Sequence, residues 1–243
     1  MARDYNAEMV DNERKYAYGF DYDVMHPYMM ESFMPHFRSG AVLELGCFQG
    51  AFTQRLAEHF SDITCIEASS EAISIAKQSP KLSNVCFIES VFENAELNRR
   101  FENILLVHVL EHLDDRIALL RKIKDKWLAD NGILIIACPN AYAPSRQIAV
   151  NMGLIGHPED VTPSEQAHGH RVTYSIDSLK KDILSSGLSI SESSGIFFKA
   201  LANFQWDKLL QTDIISKEYL EGCYMLGKKY PDLCSSIFFI CEK

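Results

Sequence analysis

The sequence predicts an α/β fold with a doubly wound, mostly parallel sheet. From about residue 41 onward, short apolar runs alternate with runs of helical character, which is typical of parallel sheets. The run at residues 103–109 is apolar at most positions, as expected for a central strand that is buried on both faces. The length of 243 residues fits one large domain with insertions.

The predicted strands and helices alternate along the chain. Strands are predicted at residues 41–45, 63–66, 85–88, 103–109 and 133–137, with a sixth that begins at 188–190 and a last one at 235–241. Helices are predicted at residues 52–60, 70–78, 114–128, 174–186 and 200–229. Two insertions interrupt the alternation, an irregular one near residues 151–172 and a helical one near residues 200–230 before the last strand.

Residues 1–40 lie outside this alternation and carry many aromatic side chains. We predict that they form an N-terminal helical lid over the open end of the sheet, and that the main domain covers residues 41–243. A surface that pairs two copies of the chain in a homodimer would have a similar composition. The aromatic residues concerned are Tyr16, Tyr18, Phe20, Tyr22, Tyr28, Phe33 and Phe37.

The bulk composition argues against several classes of protein. The formal net charge of −9 disfavours a nucleic acid partner, because binding phosphates needs a basic stripe. The sequence has no run of about 18 apolar residues that could span a bilayer, and it starts with polar residues. The seven cysteines form no CxxC pair and lie mostly in apolar runs, as reduced buried thiols do. We therefore expect a cytoplasmic protein with no membrane partner.

A glycine loop follows the first predicted strand, at the carboxyl edge where open parallel sheets bind ligands. Gly46 permits a tight turn, and Gly50 permits close packing of helix against strand. Glu67 ends the second strand about 20 residues later, where an acid accepts the hydroxyls of a ribose. Phe48 occupies the centre of the loop, which also lacks the Lys-Ser/Thr pair of a phosphate-binding loop. Together these residues predict a site for adenosine without phosphates, that is, for S-adenosylmethionine.

Four segments resemble the successive motifs of class I S-adenosylmethionine-dependent methyltransferases, in their order and spacing. They are residues 42–50 (VLELGCFQG), 66–68 (IEA), 92–94 (FEN) and 104–115 (ILLVHVLEHLDD). The resemblance implies the Rossmann-like methyltransferase fold, in which the seventh of seven strands lies antiparallel between the fifth and the sixth.

The resemblance also implies roles for residues around the cofactor. Glu44 and Gly46 face its methionyl part, Glu67 holds the ribose, and Ala68 of the same motif belongs to the cofactor site. His108 borders the sulfonium.

Three further positions concern the fit of the cofactor. By the resemblance, Phe92 lies beside the adenine. Phe48 replaces the usual middle glycine, so it either crowds the cofactor or stacks beside it. Val91 stands where many relatives place an acid that reads the adenine amine.

Polar residues after the fourth and fifth strands are candidates for catalysis. His112 could accept a proton from a hydroxyl or ammonium acceptor, or it could simply cap the strand end. The amide oxygen of Asn140 could accept a hydrogen bond from an amine, or it could form a turn. Tyr174 could reach the substrate from a lid segment together with His170, or it could only begin a helix. No Cys or carboxylate completes a recognisable metal-ligand spacing around His168 and His170, so no metal site is predicted.

An aromatic, weakly charged site suits a small-molecule substrate, since aromatic faces attract a sulfonium. The first interpretation is methyl transfer to oxygen or nitrogen of a small metabolite. In the alternative, S-adenosylmethionine is the sole substrate and cyclises to azetidine-2-carboxylate and methylthioadenosine, with Asn140 and Tyr174 holding its amine. A third interpretation is a binding protein that retains the fold without catalysis.

Overall fold

The computed structural model describes residues 3–8 and 17–243. The remaining residues of the predicted lid, which include Tyr16, lie outside the described residues. Within the described ranges, no helix has the length and apolar character needed to cross a bilayer.

A sheet of seven strands runs through the centre of the molecule. The strands are β1 (Val42–Leu45), β2 (Ile63–Glu67), β3 (Cys86–Glu89), β4 (Phe101–Val107), β5 (Leu128–Pro139), β6 (Ser189–Phe198) and β7 (Cys234–Glu242). Their order is β3-β2-β1-β4-β5-β7-β6, and β7 runs antiparallel to both of its neighbours, β5 and β6, while the other pairs of strands are parallel. This confirms the predicted doubly wound sheet and its antiparallel last strand between the fifth and the sixth.

The centre of the sheet explains where a ligand can bind. All four residues of β1 are buried, as is most of β4, which matches their continuous apolar sequence. The chain leaves β1 toward β2 and β3 and returns on the other side as β4. Because the strand order reverses between β1 and β4, a crevice opens at their carboxyl ends.

Ten α-helices occur in the described residues, with short 3-10 and π turns between some of them. They are α1 (Tyr5–Glu8), α2 (His26–Phe33), α3 (Ala51–Leu56), α4 (Ser70–Ala76), α5 (Arg116–Lys122), α6 (Pro144–Asn151), α7 (Pro163–Ala167), α8 (Ile176–Ser185), α9 (Asn203–Leu209) and α10 (Lys217–Lys229).

The helix predicted at residues 200–229 is interrupted, and the fifth strand starts earlier than predicted. Thr212 turns its hydroxyl back to the carbonyl of Leu209 at 2.6 Å, and Ser216 caps α10 by accepting from the amide of Tyr219. Such side-chain bonds to the backbone compete with a continuous helix, which explains the break between α9 and α10. β5 begins at Leu128 directly after a π turn that buries Trp127.

Two apolar clusters fill the two faces of the sheet. One contains Trp127 and side chains of α5 and α8. The other contains Phe20 and Phe33 from the N-terminal region together with Trp206 of α9. Phe20 stacks on Trp206, with ring centroids 5.2 Å apart and an interplanar angle of 28°. The segment at residues 20–33 is therefore packed into the core against one face of the sheet.

Candidate functional site

A cavity of about 500 Å³ lies at the carboxyl ends of the central strands. Its walls come from the loops after β1, β2 and β4, from the N-terminal segment and from the insertion between β5 and α8. We call the part beside Gly46, Phe48, Glu67 and Phe92 the cofactor half. We call the part beside the 3-10 turn Leu110–His112 and residues 164–170 the acceptor half.

The turn after β1 requires glycine at position 46. Gly46 has a φ of +77°, and an added Cβ would meet Cγ2 of Val109 at 2.5 Å. Its amide donates to the carbonyl of Ile66 at 2.8 Å, which ties the turn to the end of β2. Backbone conformation and packing together therefore exclude a side chain here.

Glu67 is fixed by two backbone amides. The amide of Phe48 donates to Oε2 and the amide of Ser69 to Oε1, each at 2.9 Å. An ionised carboxylate offers about four acceptor sites, so each oxygen can still accept a hydroxyl from the cavity. Phe48 has a φ of +48°, which is strained for a side chain of this size. The bond to Glu67 helps to hold this conformation.

Glu44 forms the floor of the cofactor half and is only 3% exposed. Its Oε2 accepts hydrogen bonds from Oγ1 of Thr53 at 2.6 Å and from Sγ of Cys65 at 3.5 Å. Burial raises the pKa of Glu44 to about 7, although these two hydrogen bonds act in the opposite direction. At neutral pH the protonated and ionised forms of Glu44 are therefore both populated.

The side wall of the cofactor half is largely apolar. Ala68, Val91 and Phe92 line the cavity there. Phe92 is buried and packs within the apolar core cluster, which holds its side chain in place. An apolar wall of this kind matches the flat face of an adenine ring.

His108 follows β4 and separates the two halves. It has a φ of +54°, and its Nε2 shares a 2.9 Å hydrogen bond with Oγ of Ser236. Burial, together with smaller contributions from the nearby His170 and Lys199, lowers the pKa of His108 to about 4. At neutral pH the ring is therefore uncharged.

The acceptor half brings together Glu111, His112 and His170. One ligand-type atom from each residue lies within 4.8 Å of the others, and the two imidazole centroids are 4.4 Å apart. Burial lowers the pKa of both histidines, that of His170 to about 4, so both rings are neutral at pH 7. Burial raises the pKa of Glu111 to about 8.

The side chains of Asn140 and Tyr174 are both engaged in hydrogen bonds within the protein. The Asn140 amide nitrogen donates to the carbonyls of Asp232 and Cys234 at 2.8 and 2.9 Å, and its oxygen accepts from the amide of Tyr142. Asn140 lines the cavity, but its polar atoms hold the turn after β5. Tyr174 is 1% exposed within the core and donates its hydroxyl to Asp182 of α8 at 2.8 Å, so it does not line the cavity.

Several cavity residues escaped the sequence analysis because they come from distant parts of the chain. A buried polar group joins Asp21, Lys199 and Asn203, in which the Asn203 amide donates to both carboxylate oxygens at 2.9 and 3.1 Å. Burial lowers the pKa of Lys199 to about 8. His26 also lines the cavity, and its buried Nδ1 has no hydrogen-bond partner in the part of the chain that the structure describes. No sequence pattern connects these positions.

The N-terminal segment and the insertion meet over the acceptor half. Arg3 donates to the carbonyl of His112 at 2.5 Å and to that of Gly169 at 3.2 Å. Arg146 of α6 donates to Glu165 at 2.6 Å and so braces the insertion. These bonds join three chain segments into one wall.

Comparisons with known proteins agree on one family. A family model described as a methyltransferase domain matches residues 21–193. The (S)-coclaurine N-methyltransferase of Thalictrum flavum subsp. glaucum is 36% identical over 110 residues, which cover 42% of this chain and 30% of that enzyme. The ubiquinone biosynthesis O-methyltransferase of Rhizobium etli (strain ATCC 51251) is 25% identical over 178 residues, which cover 71% of this chain and 69% of that enzyme.

Solved structures share the fold at low sequence identity. A structure from Thermotoga maritima, described as a SAM-dependent methyltransferase and possible histamine N-methyltransferase, aligns with a TM-score of 0.64 and 14% identity. The alignment covers 91% of this chain and 90% of that one. An S-adenosylmethionine-dependent methyltransferase from Clostridium acetobutylicum aligns with a TM-score of 0.57 and 13% identity, covering 91% of this chain and 92% of that one.

Proposed function

The chain belongs to the methyltransferase-domain family, and we propose that it transfers the methyl group of S-adenosylmethionine to an oxygen or nitrogen atom of a small metabolite. The observation that carries this proposal is the anchored carboxylate of Glu67 beside an apolar wall, at one end of a cavity whose other end is lined by neutral histidines.

The residues of the cofactor half fit S-adenosylmethionine. Glu67 has acceptor capacity left for ribose hydroxyls, and Ala68 and Phe92 offer an apolar surface to the adenine. Gly46 lets the backbone approach the ligand closely, next to the carboxyl group of Glu44. We propose that these residues, together with Phe48 and His108, hold the cofactor.

When bound, S-adenosylmethionine supplies a methyl group that its sulfonium already activates. The protein therefore has to align an acceptor atom and exclude water, and it needs little further chemistry. Residues of the acceptor half can do both. The wall formed by Arg3 and the insertion covers this part of the cavity, and the neutral ring of His112 can accept a proton from a hydroxyl acceptor.

The cavity favours a small acceptor over a macromolecule. A volume of about 500 Å³ is in the range of small-molecule sites, and it has to hold the cofactor as well. Two of the relatives are named for methylation at nitrogen of coclaurine and at oxygen in ubiquinone biosynthesis. The proposal therefore covers both kinds of acceptor atom.

The cyclisation alternative receives no support. It depends on Asn140 and Tyr174 to fold back the amine of the cofactor, yet the polar atoms of Asn140 are engaged in a turn and Tyr174 lies in the core. The two curated relatives described above are both named as methyltransferases.

The test is to incubate the protein with S-adenosylmethionine and a panel of phenols, catechols and aliphatic amines. Methyl transfer predicts S-adenosylhomocysteine and a product that is heavier by one methylene group, both read by mass spectrometry. A reaction without acceptor should give only the uncatalysed background. If the protein binds the cofactor but no member of the panel yields S-adenosylhomocysteine, the small-acceptor proposal is wrong.

A further inference from the structure

Three side chains with metal-ligand chemistry converge in the acceptor half. Glu111 and His112 lie on the 3-10 turn Leu110–His112 after β4, and His170 reaches them from the insertion. One nitrogen or oxygen atom from each lies within 4.8 Å of the other two. All three line the cavity, so an ion among them would remain accessible to a substrate.

The carboxylate of Glu111 is the strongest sign that something is bound here. The residue is 1% exposed, and among the described residues neither oxygen has a hydrogen-bond partner of ordinary geometry. Its polar neighbours are its own backbone amide and the thiol of Cys138, which offers only a weak donor. Burial without a strong partner disfavours the ionised form of Glu111 and raises its pKa, and a cation at this position would stabilise the ionised carboxylate.

The backbone around the three residues is held in place by both segments. The amide of Arg171 donates to the carbonyl of Glu111 at 2.8 Å, so the insertion is fastened to the turn after β4. The amide of His170 donates to the carbonyl of Glu165 at 2.9 Å. His112 has a hydrogen bond to the backbone of His168. A ring held through such a bond is typical of metal-binding histidines, whose orientation is set by a supporting partner.

We propose that Glu111, His112 and His170 bind one divalent metal ion of the zinc class, with open coordination positions that face the cavity. Two imidazoles and one carboxylate are the protein ligands of many catalytic zinc sites. Mg²⁺ and Ca²⁺ prefer oxygen ligands alone, so this donor set selects against them. The ligand atoms have to move closer, to separations of about 3–3.5 Å, which small side-chain rotations supply.

This site departs from the expectation that no metal is bound. The sequence analysis looked for a carboxylate near His168 and His170 in the chain. The carboxylate instead comes from Glu111, which lies close in space because the insertion folds back over β4.

The proposed ion also deepens the proposed function, on which this step depends. With the ion bound, a hydroxyl group of the acceptor at the open position would have a lowered pKa and would release its proton to the solvent, and His112 would serve as a ligand and no longer as the proton acceptor. Its oxygen then forms a bond to the methyl carbon, while the carbon–sulfur bond breaks and leaves its electron pair on sulfur. A hydroxyl and a sulfonium thus give a methyl ether, a thioether and one proton. The site therefore favours hydroxyl acceptors over amines.

The test is a Zn²⁺ titration of protein that has been stripped with a chelator, followed by a chelator competition assay and metal analysis after gel filtration. Cys86 is the exposed cysteine, so all variants carry Cys86→Ser to remove thiol binding at the surface. We expect one tightly bound Zn²⁺ per chain. Loss of a residue that only supports a metal ligand typically weakens metal binding by roughly 10- to 100-fold. Glu111→Gln and His170→Ala each remove a ligand, so each should weaken Zn²⁺ binding by at least this factor.

His157→Ala is the matched control, because His157 is exposed in the same insertion and lies outside the cavity. It should bind Zn²⁺ as tightly as the parent protein. Glu111→Gln removes a buried ionisable group without changing the shape of the side chain, so its metal-free form should unfold at no lower denaturant concentration than the parent. Equal Zn²⁺ affinity in all three variants, or no binding by the parent protein, overturns the site.

Zn²⁺ binding and methyl transfer are measured separately on the same variants, so that the two proposals can fail independently. If Zn²⁺ binding depends on Glu111 and His170 but the protein methylates no acceptor, the metal site is supported and the proposed function is refuted. Methyl transfer to a hydroxyl acceptor at the same rate in stripped and reloaded protein refutes the role of the ion in holding the acceptor.

Discussion

The two halves of the cavity are built in different ways. In the cofactor half, Gly46, Phe48 and Glu67 come from neighbouring strand ends, and backbone amides fix both oxygens of the carboxylate. In the acceptor half, His112 and His170 come from segments that are far apart in the chain, and Arg3 joins the two segments by donating to the carbonyls of His112 and Gly169. One half is thus organised locally and the other by tertiary contacts.

The two halves also differ in how well their polar groups are satisfied. Both oxygens of Glu67 already accept strong hydrogen bonds, whereas within residues 3–8 and 17–243 neither oxygen of Glu111 has such a partner. Buried polar groups in native proteins are normally paired, so an unpaired one at a cavity wall marks the place where a ligand completes the structure. We therefore expect changes in the cofactor half to act through backbone geometry, and changes in the acceptor half to act through ligands.

The largest expected effect tests the backbone geometry of the cofactor half. Gly46→Ala should cost roughly 2–5 kcal/mol of unfolding free energy, because it adds a strained positive φ and a clash with Val109. Gly153→Ala is the control, since Gly153 has a φ of +72° in the insertion but no atom within 4 Å of an added Cβ. It should cost only the about 1–2 kcal/mol of backbone strain. Equal costs in urea denaturation would show that packing at Gly46 is unimportant.

The second prediction concerns the buried acid of the cofactor half. Burial raises the pKa of Glu44 from 4.5 to about 7, so the folded protein keeps this proton at pH values where the unfolded chain has lost it. The contribution to stability is fully present below pH 4.5 and is lost as pH rises through 7. Glu44→Gln cannot ionise, so between pH 4.5 and 7 its stability relative to the parent should rise by up to about 3 kcal/mol.

Denaturant unfolding of Glu44→Gln and the parent at several pH values between 4.5 and 8 checks this prediction. Glu58→Gln is the control, because Glu58 forms an exposed ion pair with Lys81 and should leave the pH profile unchanged. Parallel profiles for Glu44→Gln and the parent would mean that Glu44 ionises normally in the folded protein.

The sequence predicts the cofactor half far better than the acceptor half, for physical reasons. The sheet follows from local apolar patterns, and the glycine turn and Glu67 both sit at strand ends whose positions the pattern gives. Tyr174 was ambiguous because a tyrosine at the start of a helix can point to a cavity or to the core. The hydrogen bond from its hydroxyl to Asp182 holds the ring in the core, and the sequence alone does not show which way the side chain points. Lys199 pairs with groups from the other end of the chain, which no local pattern reveals.

The third prediction tests the anchored carboxylate. Glu67→Ala should weaken S-adenosylmethionine binding by about 1–3 kcal/mol, or roughly 5- to 150-fold, because ribose hydroxyls lose a charged acceptor. Glu89→Ala is the matched control, since Glu89 ends the neighbouring strand β3 but is exposed and does not line the cavity. Calorimetry should find its affinity unchanged. An unchanged affinity in Glu67→Ala would remove this residue from the cofactor site.

The smallest expected effect concerns the wall over the acceptor half. Arg3→Ala removes the bonds to the carbonyls of His112 and Gly169, which belong to two different chain segments of this wall. Loss of these bonds should cost about 1 kcal/mol, so kcat/KM for the acceptor should fall about fivefold. Cofactor affinity should stay the same, because Glu67 and Gly46 are held by other bonds. Arg38→Ala, which removes only an exposed ion pair with Glu242, should change neither quantity. If Arg3→Ala weakens cofactor binding and leaves acceptor kinetics unchanged, the N-terminal segment belongs to the cofactor half, and the two halves are not organised as separately as we infer.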